Sequence, residues 1–458
     1  MSLDLGGTAA TSPLESIDEL IGYLRSAEKP QSQWRVGVEH EKIGFTREGK
    51  PIPYKGKGGI RALLEKLSAQ GLGKLHSEAG NPIAVLAKSA SITLEPGGQL
   101  ELSGSPVRTL DEANAEIVAH LQAVNDASAA DGNRWALLGY RPFGTTADGQ
   151  WMPKLRYNEM HRSLGSKGKY AKDMMLMTAT VQANLDWSDE QDLAEKSRAA
   201  TGVSAIVTSI FSNSPVVNGA ESGLQDFRYE VWRDTDPKRC GLLEEMVLPD
   251  FGYAAYVNWA IDVPLLFVRH DGKYFDGAGL TFREWWKRGE LPSLKLRPTV
   301  DSFADHLTTL FPEVRIKKVF ELRGADVVPM PLLMSLPAIW MGLLYDRDSR
   351  DAAWPLTSRW SWAERLAFQA DVAKRSFAAQ APGGRSALDL AKELLAIADR
   401  GLAAWSKQTG ADERKYLDPA RELVAAGHPL SEELLSKWKF ANRDPEKLIS
   451  LAVADAFK

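Results

Sequence analysis

Cysteine occurs once in the 458 residues, at Cys240. That excludes an intrachain disulfide and a zinc cage built on paired thiolates. No stretch approaches the roughly 18 uninterrupted apolar residues expected of a membrane span. Positive charge is not in excess: 56 Lys and Arg stand against 60 Asp and Glu, a formal net charge of −4. That balance argues against a nucleic-acid binder, which carries a basic stripe. The opening MSLDLGGTAATSP lacks the basic-then-apolar layout of a secretory signal, so a cytoplasmic protein is expected. Only seven histidines are present, and no pair has the spacing of a zinc hydrolase. There is no GxxxxGK[ST] phosphate loop and no GxSxG elbow, and Cys240 beside Arg239 gives little ground for a nucleophile.

What is present is ordinary globular composition, 44% hydrophobic and 25% charged. The length exceeds what one core usually serves, so two or three lobes are expected. LESIDELIGYLRSAEK (14–29) has helical spacing and ends at Pro30. VGVEHEKIGF (36–45) follows as a strand. YKGKGGIRALLEKLSAQG reads as a glycine-rich turn and a helix stopping near Gly71. The KGKGG part has the form of a phosphate-binding helix start, but a flexible turn is the plainer reading. SITLEPGGQLELSGSP reads as strand, turn, strand, and 109–130 as a helix with an acidic start. Residues 135–168 show no period and are expected to form long loops. DMMLMTATVQANLDW is a strand candidate followed by a helix, and KVFELRGADV (318–327) is a further short strand. Beyond about Pro355 the chain is helical. The expected organisation is an α+β region on an antiparallel sheet over 1–354, with a helical C-terminal region over 355–458 packed on it.

Side chains alternate along a strand, so Glu39 and Glu41 share a face, while Val38 and His40 point the other way. Two carboxylates on one side of an apolar strand need a reason, because acids are depleted there. Other strands repeat the pattern. Glu95 shares a face with Thr93, and Glu101 with Gln99. Thr180, Gln182, Asn184 and Asp186 form a row, as do Val319, Glu321 and Arg323. One such row is commonly a solvated face. Rows that concentrate Glu, Gln and Asn with almost no Lys fit a hard cation better, Mg²⁺ or Mn²⁺, serving a nucleotide's phosphates. His40 reads as a satisfied core histidine. Lys154 and Arg156 in MPKLRY, expected in a loop, and Arg228 with Trp232 in FRYEVWRDTDPKRCG offer cationic groups beside aromatics. Such arginines grip carboxylates bidentately, although a surface ion pair is their commoner fate.

Taken in order, VGVEHEKIGF, LEPGGQLELSG, MPKLRY, TVQANLDW, FSNSP, VWRDTDPKRCG and FELRGADV resemble glutamate–cysteine ligase of the plant and proteobacterial type. The resemblance runs from about Pro13 to Leu451. It implies a glutamine-synthetase-like antiparallel sheet forming a concave active site surrounded by helices. It also implies ATP-dependent joining of the glutamate γ-carboxylate to the cysteine amine, through γ-glutamyl phosphate. Carried over residue by residue, it implies that Glu39, Glu41, Glu95, Glu101 and Glu321 hold magnesium near ATP. Arg156, Thr180, Arg228 and Trp232 would meet glutamate, with Arg323 and Arg156 catalytic. Gln182, Asn184 and Lys154 would line the nucleotide side.

The sequence departs from the plant pattern in its single cysteine, which rules out an intrachain redox switch of paired cysteines. No plastid transit pattern is evident, in line with the cytoplasmic expectation. The expected partners are glutamate, cysteine and ATP, with no nucleic acid and no membrane, in a monomer or homodimer. Two alternatives stay open at this point: a ligase of the same fold with another acceptor amine, and a non-catalytic metal- or nucleotide-binding relative.

Overall fold

A computed structural model describes residues 12–165 and 167–454. Its centre is a nine-stranded antiparallel sheet. Seven of the strands are β1 (Gly37–Phe45), β2 (Lys74–Glu78), β3 (Asn81–Leu86), β4 (Ser91–Leu94), β5 (Leu100–Ser103), β6 (Arg134–Ala136) and β7 (Val181–Leu185). The other two are Val314–Ile316 and Phe320–Leu322. Phe320–Leu322 lies against β7, β7 against β1, and β1 against β5, which leads on through β4 and β3 to β2. β6 pairs with the far end of β1.

The register turns the separate polar rows of the sequence into one surface. Glu39 faces Gln182 on one neighbour and Ser103 on the other. Glu41 faces Glu101, and Glu101 faces Thr93. Glu321 faces Asn184. Because directly opposed residues lie on the same side of a sheet, the carboxylates expected to gather do so. The tight turn Pro96-Gly97-Gly98 joins β4 to β5. A Cβ on Gly97 would sit 2.4 Å from the carbonyl oxygen of Leu176, so the turn is pressed against the chain beyond it.

Helices α1 (Ile17–Arg25), α2 (Ile60–Ala69), α3 (Leu110–Ala129), α4 (Leu155–Leu164), α5 (Ala171–Met177), α6 (Glu190–Ile210) and α7 (Phe227–Arg233) surround the sheet. Helix Ser335–Leu344 packs against β7, α6 and the long helix Ala387–Thr409, so the C-terminal helices share the sheet's core. Two glycines allow that approach: a Cβ on Gly401 would lie 1.7 Å from the carbonyl oxygen of Gly342.

Three expectations need correction. MPKLRY is not loop: Lys154 is the residue before α4 and Arg156 lies in its first turn. The DMMLM part of the strand candidate is α5, and the strand starts only at Val181. The stretch 135–168 therefore contains β6 and α4 rather than loop alone. His40 is buried as expected, but it is not satisfied. Its Nε2 meets no hydrogen-bond partner among the described residues, and its ring stands edge-on to His120 of α3 at 5.6 Å. Lys42 is wholly buried on the same face, its amine 3.5 Å from Nδ1 of His40, and burial pulls it down to about 7.

Candidate active site

Two adjoining cavities open over the polar face. The first, of about 90 Å³, is lined by Glu39, Glu41, Glu95 and Glu101 on the sheet side. Lys154, Arg156, Arg315, Lys317, Arg323 and Gln182 line it too. The second, of about 70 Å³, shares Glu41, Glu95, Met160, Phe311 and Arg323 and is otherwise lined by Pro96, Gln99, Met174, Met175, Thr178, Thr180, Arg228 and Trp232. The first chamber gathers acids and bases around one cavity. The second is smaller in charge and richer in apolar surface.

The acid floor is crowded and buried, and its members are perturbed in different directions. Burial and then the neighbouring Glu95 and Glu101 push Glu41 well above the usual carboxylate range. Burial, with Glu101 beside it, raises Glu95 to about 8. Glu101 takes hydrogen bonds from the Ser103 hydroxyl and, at 3.4 Å, from Thr93. Glu39 accepts from the Asn184 amide at 2.9 Å. Carboxylates crowded this way favour either protons or a divalent cation. The donor set therefore fits a hard metal ion. Among the described residues no three His, Cys, Asp or Glu side chains already converge on a single point, so the floor is a cluster of ligands rather than a closed cage.

Glu321, also expected to hold metal, does not line the first chamber and stands among cations. Fully buried, it holds Arg315 at 2.5 Å, Lys317 at 2.8 Å and Arg323 at 3.5 Å. Burial opposes its charge, yet these three cations hold its carboxyl well below the usual range. In this arrangement Glu321 gathers Arg315, Lys317 and Arg323 together. Arg315 and Lys317 were not anticipated from sequence, although VRIKK alternates in the same way as FELRG and carried the signal.

The second chamber is organised by cation–aromatic contacts. Arg228 lies 5.6 Å and Arg323 5.2 Å from the Trp232 ring, and Trp232 meets Phe311 at 5.7 Å. Both arginines approach one indole, which fixes them without neutralising them. Arg228 also donates to the carbonyl oxygens of Gly324 and Arg323, each at 3.2 Å. The Thr180 hydroxyl donates to the Ala325 carbonyl at 2.7 Å, and its N–H reaches Glu41 at 3.1 Å. Arg156, expected with these residues, lines the first chamber instead, over the Phe267 ring at 5.6 Å and 3.5 Å from the Thr308 hydroxyl. Gln182 and Lys154 line the first chamber as expected, whereas Asn184 reaches it only through Glu39.

Comparison with known proteins decides the family. The glutamate-cysteine ligase family 2 profile matches residues 35–451. The chain belongs to this family. Among curated relatives, it is 37% identical over 449 residues to glutamate–cysteine ligase B, chloroplastic, of Oryza sativa subsp. japonica, covering 95% of this chain and 89% of that one. It is 38% identical over 431 residues to the chloroplastic glutamate–cysteine ligase of Brassica juncea, covering 94% and 82%. The crystal structure of a glutamate–cysteine ligase from Francisella tularensis in complex with AMP superposes with a TM-score of 0.55. It is 12% identical and covers 92% of this chain and 87% of that one. That likeness concerns the fold, and it agrees with the α+β architecture on an antiparallel sheet.

The cytoplasmic expectation is overturned by the same comparisons. The plant relatives are named as chloroplastic enzymes, so the opening residues do not assign this glutamate-cysteine ligase family member to the cytoplasm. Among the described residues, no helix is long and apolar enough to cross a membrane.

Proposed function

We propose that the chain carries out the reaction its family is named for, with ATP phosphates in the first chamber and the amino acids in the second. Glutamate would lie with its α-carboxylate toward Arg228 and its chain against Trp232. Its γ-carboxylate would then point toward Glu41, Glu95 and Arg323, the charged residues common to both chambers. A carboxylate is a poor acyl donor, so its oxygen first takes the γ-phosphoryl group of ATP and ADP leaves. Arg323, Arg315 and Lys317 offset charge on the phosphoryl oxygens in transit. The cysteine amine then attacks the acyl carbon of γ-glutamyl phosphate, inorganic phosphate departs, and the amine proton is lost.

Glu39, Glu41, Glu95 and Glu101 would hold magnesium. Bound there, it would supply positive charge beside the phosphates and would offset the burial and crowding that raise Glu41 and Glu95. Lys154 and Arg156 would hold the nucleotide's outer oxygens from the start of α4, and Gln182 would lie between floor and nucleotide. One observation carries the reading. Four carboxylates and five cations line one cavity, which adjoins a second chamber set with Arg228 and Trp232.

The test is ADP release by the purified protein given glutamate with a panel of amines. ADP forming with glutamate plus cysteine, in step with γ-glutamylcysteine, is expected. ADP formed only with another acid or amine would overturn the substrate assignment.

A further inference from the structure

Behind the second chamber lie two buried carboxyl groups that the reaction does not touch. Asp226 caps α7 by accepting from the N–H of Tyr229 at 2.8 Å. Asp326 lies beyond the strand Phe320–Leu322 and accepts from the N–H of Asn213 at 2.8 Å. Both side chains are fully buried. Ser214 stands between them and has one proton to give. It gives that proton to Asp326 at 2.6 Å and accepts from the N–H of Arg228 at 3.1 Å. Its 3.4 Å approach to Asp226 is therefore not a second donated bond.

That leaves Oδ2 of Asp226 and Oδ1 of Asp326, and neither meets a donor among the described residues. The two carboxyl groups converge on the one Ser214 hydroxyl, at 2.6 and 3.4 Å, which places them side by side. Two buried ionised carboxylates in contact would repel each other and leave both oxygens unmatched. One proton between them satisfies both. The Asp326 carboxyl is packed onto Gly139, where an added Cβ would fall 2.1 Å from its carbon.

We propose that Asp226 and Asp326 share one proton and act as positioning residues, tying the helix that carries Arg228 and Trp232 to the backbone that follows Arg323. Asp326 is the donor. Burial, then the charge of Asp226, lifts its carboxyl well above the usual range. Asp226 keeps the negative charge as the helix cap. The charged groups facing the pair are Arg228 on α7, which offsets that charge, and the buried Glu313 ahead of the strand Val314–Ile316. Arg228 in turn holds the carbonyls of Arg323 and Gly324. The shared proton therefore sets the spacing of the two arginines across Trp232.

The functional consequence rests on glutamate lying beside Arg228 and Trp232. The test compares Asp326→Asn, whose amide can donate in place of the acid, with Asp326→Val, which cannot. We expect Asp326→Asn to keep kcat and glutamate KM within about threefold of the parent. Asp326→Val should raise glutamate KM by about tenfold or more and lower kcat, with ATP KM within about threefold. A folded Asp326→Val protein with unchanged glutamate KM, or Asp326→Asn as impaired as Asp326→Val, would overturn the positioning role. Infrared difference spectra read the proton itself, whatever the substrate. The parent-minus-Asp326→Asn difference near neutral pH should contain one protonated-carboxyl stretch, the bands of Glu41 and Glu95 cancelling. A difference spectrum without that band refutes the shared proton even where Asp326→Val fails to fold.

Discussion

Replacing Glu321 with Gln separates two roles that a carboxylate in this sheet can have. The side chain is fully buried, and Arg315, Lys317 and Arg323 are each at most 12% exposed. Gln has the same shape but no charge, and its amide hydrogens would face three cations. Removing one partner of a buried ion pair costs about 3–5 kcal/mol because the remaining charge stays buried and unpaired. Three cations share this one carboxylate, so the upper part of that range is expected. At about 1 °C per kcal/mol for 458 residues, the melting temperature should fall by about 4–5 °C. Differential scanning calorimetry on the ligand-free protein reads that directly. In the ADP assay the variant should show raised ATP KM and lowered kcat, because the three cations lose their anchor, while the magnesium concentration for half-maximal rate stays that of the parent. Unchanged melting together with a strongly raised magnesium requirement would refute the reasoning and return Glu321 to the metal floor.

The remaining predictions concern other parts of the molecule. His306 is buried with its Nε2 2.8 Å from the Ala260 carbonyl oxygen, and burial lowers it from 6.5 to about 4. Its folded value is depressed, so its contribution is complete above the unfolded value and is lost as pH falls from about 6.5 to about 4. At about 1.4 kcal/mol per unit that is roughly 3 kcal/mol. Denaturant unfolding at several pH values should show His306→Gln losing less stability on acidification than the parent, and equal losses would contradict it. Gly401→Ala places a methyl group 1.7 Å from the Gly342 carbonyl oxygen, which should destabilise by about 3 kcal/mol or more in the same assay. Trp232→Leu removes the ring that both arginines approach and should raise glutamate KM by about tenfold with little change in ATP KM.

Much of the acid floor was legible in the sequence because strand alternation is a local rule. Glu39 and Glu41 had to share a face, and so did Glu321 and Arg323. Which strand lies beside which is not local. The pairing of Glu41 with Glu101, and of Glu321 with Asn184, depends on a register that only the folded sheet supplies. The ion pairs of Glu321 have the same origin: Arg315 arrives on an adjacent strand and Lys317 just beyond its end. Met174–Met177 was misread as strand because a single turn or two of helix inside an apolar run has no period to distinguish it. His40 and Lys42 show the reverse case. Alternation placed them correctly on the core face, but their neighbour His120 comes from a helix some eighty residues on (120 against 40). The carboxyl pair of Asp226 and Asp326 spans a hundred residues and leaves no local trace at all.

The central claim is that the carboxylates of β1 and its neighbours form a magnesium floor beneath ATP. Its most direct test is the magnesium dependence of ADP release for the parent and for Glu41→Gln, measured with glutamate and cysteine at saturation. The account predicts that Glu41→Gln loses most of its turnover and needs a clearly higher magnesium concentration for half-maximal rate. Retained turnover with an unchanged magnesium requirement would contradict it.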